Sequence, residues 1–581
     1  MCGDLRPVDA GADVVVTGWV ARRRDHGGVV FFDLRDREGI VQVVAHPDEQ
    51  PAAAAVAGDL RGESVVLVRG RCRRRLEGRE NPAITTGEVE VAATSIEVLS
   101  ESRTPPFPIE DRVEAEEVLR LTYRYLDLRR PEMARVVRDR ARTAGIIRRF
   151  FDAAGFIDVE TPMLTKSTPE GARDFLVPSR LQKGQVYALP QSPQQFKQLL
   201  MVAGLDRYYQ LAHCFRDEDL RADRHWEFTQ LDMEMSFASE EDVYEVLEAM
   251  FAALWKEFAG VDVPRPWPRL TYDDAMARYG SDKPDTRYGM ELVDLTETFR
   301  GSGFNAFAAV VEAGGVIKGL CAPGGAALSR SELDGLVNEA TSRGAKGLVW
   351  MAHHGAEVSS PVLKFLSDGE RQAVATISGA GDGDLVLIVA DAADRVAVAL
   401  DGLRRLMAER LGLVPNDRWD FLWVTEFPMF EWSDDEAKWV AKHHPFTAPS
   451  ADDLEPATAK ARAYDIVLNG VELGSGSVRI HRSELQSRVF EVLGIGAEDA
   501  QEKFGHMLQA FRYGVPPHAG FAFGLERVVM FLAGRDNIRD VIAFPKTSSG
   551  IEPLTGAPSE PSTEQLKLLG MRFQGTGTPE R

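Results

Sequence analysis

Two arginines sit in surroundings that do not suit surface residues. Arg527 lies in GFAFGLERVVMF (520–531), an apolar, glycine-rich segment patterned as a strand running into a helix. Arg216 belongs to a second island, FRDEDLRADRHWEFTQLDMEM (215–235). A guanidinium in apolar surroundings is costly unless an anion or carboxylate pairs with it. Its paired donors and delocalised charge suit a reacting phosphoryl group. Either arginine could instead hold a structural salt bridge. Taken together, the two islands suggest one phosphate-handling site built from distant segments.

Carboxylates complete that chemistry. Asp465 in AYDIVLNG and Glu472 in NGVELGSGSVRIH flank Asn469-Gly470, a strong hairpin signal. Two carboxylates brought together across such a turn could hold magnesium with nucleotide phosphates. Gly474 and Gly476 would let a ligand approach the backbone closely. Arg479, in the same segment, could hold a carboxylate. In SPQQFKQLLMVAGL, Ser192 opens a helix with Pro193 at its first position, and Gln194 and Lys197 share one face. QLDMEMSF alternates, with Gln230, Asp232 and Glu234 on one strand face and Leu231, Met233 and Met235 on the other. That polar face could line a site; Asp232 and Glu234 could equally be ordinary exposed carboxylates.

Other chemistries are poorly supported. The chain carries neither a GxxxxGK[ST] loop nor a GxGxxG after a strand. No serine–histidine–acid pattern stands out. His443 and His444 lack a third ligand at zinc spacing and fit better in a polar loop over an anionic substrate.

The elements that must position these groups follow from periodicity. Residues 13–45 alternate as strands broken at His26-Gly27-Gly28 and Arg37-Glu38-Gly39, and β-branched runs follow at 64–70 and 87–99. Five short strands in about a hundred residues suit a small barrel such as an OB-fold. Such barrels bind single-stranded nucleic acid with aromatics and arginines. Arg24, Phe31, Phe32 and Gln42 are of the right types. At least one of the two adjacent phenylalanines must point inward, because neighbours on a strand face opposite ways. ESRTPPFPIEDR (101–112) reads as a linker, and helices are expected near 114–129 and over 133–154. GFIDVETPML reads as a turn and strand broken by Pro162, which suggests an edge or a subunit contact. From 285 to 415 glycine and alanine dominate, as in an inserted α/β module. Aromatic density returns at WDFLWVTEFPMFEW, and the chain from about 552 reads as a poorly ordered tail.

Composition narrows the class. A chain of 581 residues implies about 3–5 domains. A net charge of −21 argues against a whole-surface nucleic-acid binder, yet residues 61–80 hold seven arginines against three glutamates. Four cysteines without metal or disulfide spacing fit a reducing compartment. The N-terminus lacks the regions of a signal peptide and no apolar run approaches a membrane span, so a cytoplasmic protein is expected.

In several long segments, taken in order, the chain resembles the class II aminoacyl-tRNA synthetases, and most closely the bacterial-type aspartyl-tRNA synthetases. RRRDHGGVVFFDLRDREGIVQVV is similar to their anticodon-binding OB barrel. GFIDVETPMLTKSTPEGARDF, FRDEDLRADRHWEFTQLD and GFAFGLERVVM are similar to their motifs 1, 2 and 3; YRYLDLRRP, AKHHPFT, VIKGLCAPG and AKGLVWM match as well. The resemblance implies a multidomain α+β fold: an OB-fold β-barrel (1–103), a hinge (104–130), and a catalytic domain in two parts (131–284 and 416–555). It also implies a bacterial-type α/β insertion (285–415) and a C-terminal extension (556–581). The catalytic sheet is expected to have six antiparallel strands, and the molecule to be a homodimer with Pro162 at the subunit contact.

The resemblance also implies roles. ATP would be bound by Arg216 at the α-phosphate, Arg527 at the γ-phosphate, Glu218 and Phe228 at adenine, and Arg224 in support. Asp465 and Glu472 would bind Mg2+. Lys197 and Arg479 would clamp the side chain of L-aspartate, with Glu170, Gln194 and Asp232 on its amino group and His443 and His444 closing over it. Arg24, Phe31, Gln42 and Arg75 match anticodon-contacting positions. His26 and Gly78 match relatives that charge tRNA(Asn) as well as tRNA(Asp). Membranes and DNA are not expected partners. Competing readings are a strictly tRNA(Asp)-specific enzyme, an asparaginyl- or lysyl-tRNA synthetase, and a non-catalytic tRNA-binding relative. Paired Lys197 and Arg479 and the long insertion favour aspartate.

Overall fold

The computed structural model describes residues 1–167, 171–355, 357–452 and 454–572. The chain forms two compact units, one of residues 1–140 with 539–560, the other of residues 141–538 with 561–581.

The first unit is built on a closed barrel of β1 (Asp13–His26), β2 (Val29–Asp36), β3 (Gly39–Ala45), β4 (Val65–Arg74) and β5 (Val89–Ser100), in the order β1-β2-β3-β5-β4. Alternation explains it: Val30, Phe32 and Leu34 are buried and their neighbours face outward. The phenylalanine pair divides accordingly, with Phe32 fully buried and Phe31 partly exposed. A helix, Pro51–Asp59, joins the barrel core through Ala53, Ala54 and Ala57, an element that strand alternation did not reveal. Downstream, Arg124 and Arg130 both bind the fully buried Asp127. Arg124 also donates to the carbonyls of Ile542 and Ala543, which fastens residues 539–560 to this unit.

The second unit contains the sheet that carries the candidate site. Its strands in chain order are β6 (Ile157–Asp158), the hairpin β7 (Leu176–Pro178) and β8 (Val186–Ala188), β9 (Arg207–Phe215), β10 (Glu227–Ser236) and β11 (Arg269–Thr271). After an insert of five strands come β17 (Phe421–Thr425), the hairpin β18 (Phe430–Ser433) and β19 (Lys438–Ala441), β20 (Ala463–Leu468), β21 (Val471–Val478) and β22 (His518–Gly524). The main sheet has eight strands in the order β11-β17-β20-β21-β22-β10-β9-β6. Its six central strands are antiparallel, as expected. The short strands β11 and β6 add parallel edges that their two or three residues were too few to announce. Pro162 follows β6 on an exposed stretch at that edge. Behind the sheet, Trp423 Nε1 and the Trp267 amide donate to the buried Glu248 carboxylate of the helix Glu240–Ala259, at 3.0 and 3.2 Å.

Within the insert, β12 (Val293–Asp294), β13 (Val316–Ala322), β14 (Val349–His354), β15 (Glu357–Ser359) and β16 (Leu385–Asp391) form an antiparallel sheet ordered β12-β13-β16-β14-β15. Apolar cores lie on both faces. At its root the fully buried Arg404 donates to the carbonyls of Asp285, Gly289 and Met290 and stacks 4.4 Å from the Tyr288 ring.

Three sequence expectations change. The helix opened by Ser192 begins at Gln194, and Pro193 is the cap; its fixed φ still suits the helix entry. The described part of the tail is not irregular throughout: it holds a helix at Thr563–Leu569, with a capping box between Ser562 and Gln565. The side chains of Asp232 and Glu234 are buried, not exposed. Among the described residues no helix is long and apolar enough to cross a membrane.

The outward and inward phenylalanines should behave differently. Phe32→Ala is expected to cost roughly 3–5 kcal/mol of barrel stability, and Phe31→Ala less than about 1 kcal/mol. Hydrogen exchange of the β1–β3 amides in the full chain reads this directly; equal losses would contradict the assigned faces.

Candidate active site

The second unit holds a cleft of about 430 Å³ over the middle of the sheet. Gln194, Lys197, Arg216, Glu218, Arg224, Phe228, Asp232, His443, His444, Glu472, Arg479 and Arg527 all line it. Asp465 lies beneath, and Glu170 falls outside the described residues. A second cleft, of about 470 Å³, runs past Phe237 and Leu485, but its arginines are already engaged. Arg462 is paired with Glu240, and Arg482 with Asp452.

At the floor of the first cleft is a buried cluster of four charges. Lys197 projects from the helix Gln194–Val202, Asp232 and Glu234 from one face of β10, and Arg479 from the end of β21. Lys197 Nζ lies 2.8 Å from Asp232 Oδ1 and 3.4 Å from Glu234 Oε2. Arg479 grips Glu234 with two donors, at 2.9 and 3.1 Å. Burial would raise the Glu234 carboxyl, but the charges of Arg479 and Lys197 outweigh it and hold the group below its ordinary range. The cluster is therefore neutral overall while presenting two cations to the cleft. Asp232 Oδ2, also buried, has no protein partner among the described residues.

Arg216 follows β9 directly, and its guanidinium lies 5.2 Å above the ring of Phe228 on β10. Nearby, Arg224 approaches Glu218 at 3.6 Å. Arg527 is not buried as its apolar segment suggested. Phe521, Phe523, Leu525, Val528 and Val529 fill the core, and Arg527, in the first turn of the helix Leu525–Leu532, faces the cleft. It donates to the Glu472 carbonyl at 2.5 Å and lies 3.4 Å from Asp223.

Asn469 and Gly470 form the expected tight turn, with φ of 51° and 81°. Burial, and then the Glu472 charge, raise the Asp465 carboxyl well above its usual range. Its Oδ1 is buried with no partner among the described residues. An orphaned carboxylate oxygen beside a second carboxylate suits a hard divalent cation. Among the described residues no group of three such side chains stands ready to bind one alone. Gly474 and Gly476 line the cleft, and packing behind the strand also demands glycine there. A Cβ at either would collide with β22 backbone and with Phe523 or Tyr464 behind the sheet.

The two histidines are neutral. Burial pushes His443 down to about 4 and His444 well below its ordinary value, with Lys442 and Arg479 adding repulsion respectively. His444 Nε2 accepts from Arg479 at 2.6 Å, and His443 Nδ1 lies 3.3 Å from Ser475 Oγ. They therefore shape the cleft wall without contributing positive charge.

Sequence reasoning missed Ser192, Asp223, Ser475, Ser477 and Glu526 in the lining, and did not assign Gln230 or Glu234 a role. A signal for some was present: Ser475, Ser477 and Arg479 alternate along β21 as Gln230, Asp232 and Glu234 do along β10.

The barrel of the first unit gathers the other candidates. Arg24 binds Asp33 at 3.0 Å and Gln42 at 3.4 Å, and Gln42 donates to Glu90 at 2.8 Å. Phe31 meets the His26 ring edge-on at 5.9 Å on the same outer face. Arg75, depressed chiefly by burial, lies close enough to sense Glu90 and Asp33. Gly78 is exposed, with φ of 77°.

Neutral His443 gives a sign for acid stability. Its ordinary value is 6.5, so between pH 6.5 and about 4 the unfolded chain binds the proton that the fold refuses. Stability falls as pH drops through that window. Relative to His443→Gln, the unsubstituted protein should lose roughly 2–3 kcal/mol more between pH 6.5 and 4.5. Denaturant titration at both pH values checks this; parallel losses would contradict it.

Comparison with known proteins agrees with this geometry. The family model for class II tRNA synthetases (D, K and N) matches residues 116–548, and that for the OB-fold nucleic acid binding domain matches residues 14–99. The aspartate–tRNA(Asp/Asn) ligase of Moorella thermoacetica is 54% identical over 98% of this chain and 96% of its own. That of Syntrophomonas wolfei is 52% identical, over 97% of each. The aspartate–tRNA ligase of Geobacillus kaustophilus is 51% identical, over 98% and 97%. Among solved structures, asparaginyl-tRNA synthetase from Pyrococcus horikoshii, complexed with asparaginyl-adenylate, shares the fold. It has a TM-score of 0.60 at 20% identity, covering 95% of this chain and 98% of that one. The chain belongs to the class II aminoacyl-tRNA synthetases, within their aspartate–tRNA ligase family.

Proposed function

We propose that the chain activates L-aspartate with ATP and transfers it to the 3′ end of tRNA(Asp) and tRNA(Asn). The observation that carries the aspartate reading is the pair Lys197 and Arg479, both paired with buried Glu234 in the cleft that also contains Arg216 and Arg527. Two fixed cations match the two acceptor oxygens of a side-chain carboxylate; an amide offers one oxygen, and its nitrogen only donates. Asparagine would leave a buried donor opposed to donors, a costly mismatch.

The remaining groups fit adenylate formation. In our reading Asp232 Oδ2, Gln194 and Glu170 receive the α-ammonium group, which directs the α-carboxylate toward ATP. A carboxylate oxygen attacks the α-phosphorus in line, the bond to the bridging oxygen breaks, and pyrophosphate leaves. Arg216 lies across the α-phosphate and the reacting carboxylate, Phe228 stacks on adenine with Glu218 at its edge, and Arg527 holds the γ-phosphate with support from Arg224. Asp465 and Glu472 would hold Mg2+, which neutralises charge on the polyphosphate. The ribose hydroxyl of the tRNA 3′ end then attacks the adenylate carbonyl, and AMP departs. No protein nucleophile is needed; positioning and charge stabilisation supply the catalysis.

Transfer to tRNA(Asn) is supported by His26 and Gly78 in the barrel and by the Moorella and Syntrophomonas relatives, whose names include both tRNAs. The Geobacillus relative, at similar identity, is named for aspartate alone, which keeps strict specificity as the second reading. We further propose a cytoplasmic homodimer joined at the β6 edge, where Ile157, Met163 and Leu164 stand exposed around Pro162.

Arg216→Ala and Arg527→Ala should each lower aspartate-dependent pyrophosphate–ATP exchange by about a hundredfold or more. Exchange supported by asparagine or lysine but not aspartate would overturn the substrate assignment. Purified tRNA(Asp) and tRNA(Asn) charged in parallel should both accept aspartate; charging of tRNA(Asp) alone would leave the strict enzyme.

A further inference from the structure

A hydrogen-bond chain behind the cleft leads from a backbone carbonyl to Gln194. His518, fully buried at the start of β22, has Nδ1 2.8 Å from the Pro516 carbonyl oxygen. A carbonyl only accepts, so this nitrogen carries the proton. Nε2 of the neutral ring then presents a lone pair. Burial, which pushes His518 below its ordinary value, keeps the ring neutral. The Gln198 side-chain nitrogen lies 3.0 Å from that Nε2 and must be the donor. Gln198 Oε1 therefore points the other way, toward Gln194, whose nitrogen donates to it at 3.1 Å. Gln198 is fully buried, and one helical turn separates the two glutamines on the same helix face.

We infer that Pro516, His518 and Gln198 fix the direction of the Gln194 carboxamide, so that its oxygen faces the cleft as an acceptor for the α-ammonium of the bound amino acid. A flipped Gln194 would set oxygen against the Gln198 oxygen and aim its NH2 at a cation. Among the described residues no protein group donates to the Gln194 oxygen, so that acceptor is available to a ligand. Gln198 and His518 touch no substrate; they are positioning residues. This inference rests on the aspartate reading above and adds to it the reason why the amide cannot rotate.

The test separates recognition of the ammonium from general damage. Succinate carries both carboxylates of aspartate and lacks the amino group. Gln198→Met should raise the KM for L-aspartate in pyrophosphate–ATP exchange about tenfold, with the KM for ATP and the inhibition constant of succinate changed less than twofold. Gln198→Glu keeps an acceptor facing Gln194, so its aspartate KM should stay within about threefold of the unsubstituted protein. If Gln198→Met does not fold, His518→Phe removes the same constraint and should give the same split. Equal weakening of aspartate and succinate, or an unchanged aspartate KM in the Met or Phe variant, would overturn the inference. So would a Glu variant as impaired as the Met variant. Absence of aspartate-dependent exchange in the unsubstituted protein would instead strike the proposed function itself.

Discussion

The buried Glu234 carboxylate, held between Lys197 and Arg479, is the constraint on which the site depends. Taking a charge out of water costs several kcal/mol, and breaking a buried pair leaves a partner uncompensated. The cluster is stable because its charges alternate at bonding distance and sum to zero. The four members come from three places, the 194–202 helix, β10 and the end of β21, so the sheet order and the seating of that helix must be right before the charges can balance. Position 520 must be glycine-sized, because a Cβ there would strike the Glu234 carboxylate. His444 must be neutral, because it accepts from the same guanidinium.

The arrangement divides labour between scaffold and chemistry. Antiparallel central strands carry residues in rows, so Gln230 and Asp232 on β10 line the cleft together with Ser475, Ser477 and Arg479 at β21, while Glu234, next in the β10 row, is fully buried. The glycines of β21 let β22 and Tyr464 pack closely behind, which keeps those rows flat and near one another. Groups suited to phosphate sit nearer the rim: Arg216 just past a strand end and Arg527 at a helix start. They are more exposed and less tied down than the floor, as groups that must meet a large polyanion should be.

Much of this was legible in the sequence, and the gaps have physical causes. Period-two alternation gave the barrel strands and the faces of β10, and Asn469-Gly470 gave the β20–β21 turn. Alternation assigns a side but not a depth, so Glu234 read as an optional surface carboxylate when it is the centre of the cluster. Its partner Arg479 lies 245 positions away in sequence, and no local pattern reports a pairing that distant. The edge strands β6 and β11 were too short to show a period, and the alanine-rich helix Pro51–Asp59 has little amphipathic contrast to display. Arg527 misled in the other direction: the apolar run around it described its neighbours, and the helix start turns this one side chain into the cleft. The roles of Gln198 and His518 depend on which nitrogen bears a proton, which three-dimensional contacts alone can fix.

The central claim is that Glu234 holds two cations in the geometry that selects a carboxylate over an amide. It is tested most directly by comparing kcat/KM for L-aspartate and L-asparagine in pyrophosphate–ATP exchange, with and without Glu234→Gln. The substitution keeps the size of the side chain and removes the charge that fixes Lys197 and Arg479. The account predicts that the preference for aspartate falls at least tenfold while the KM for ATP changes less than twofold. A preference left intact in a folded Glu234→Gln protein would contradict it.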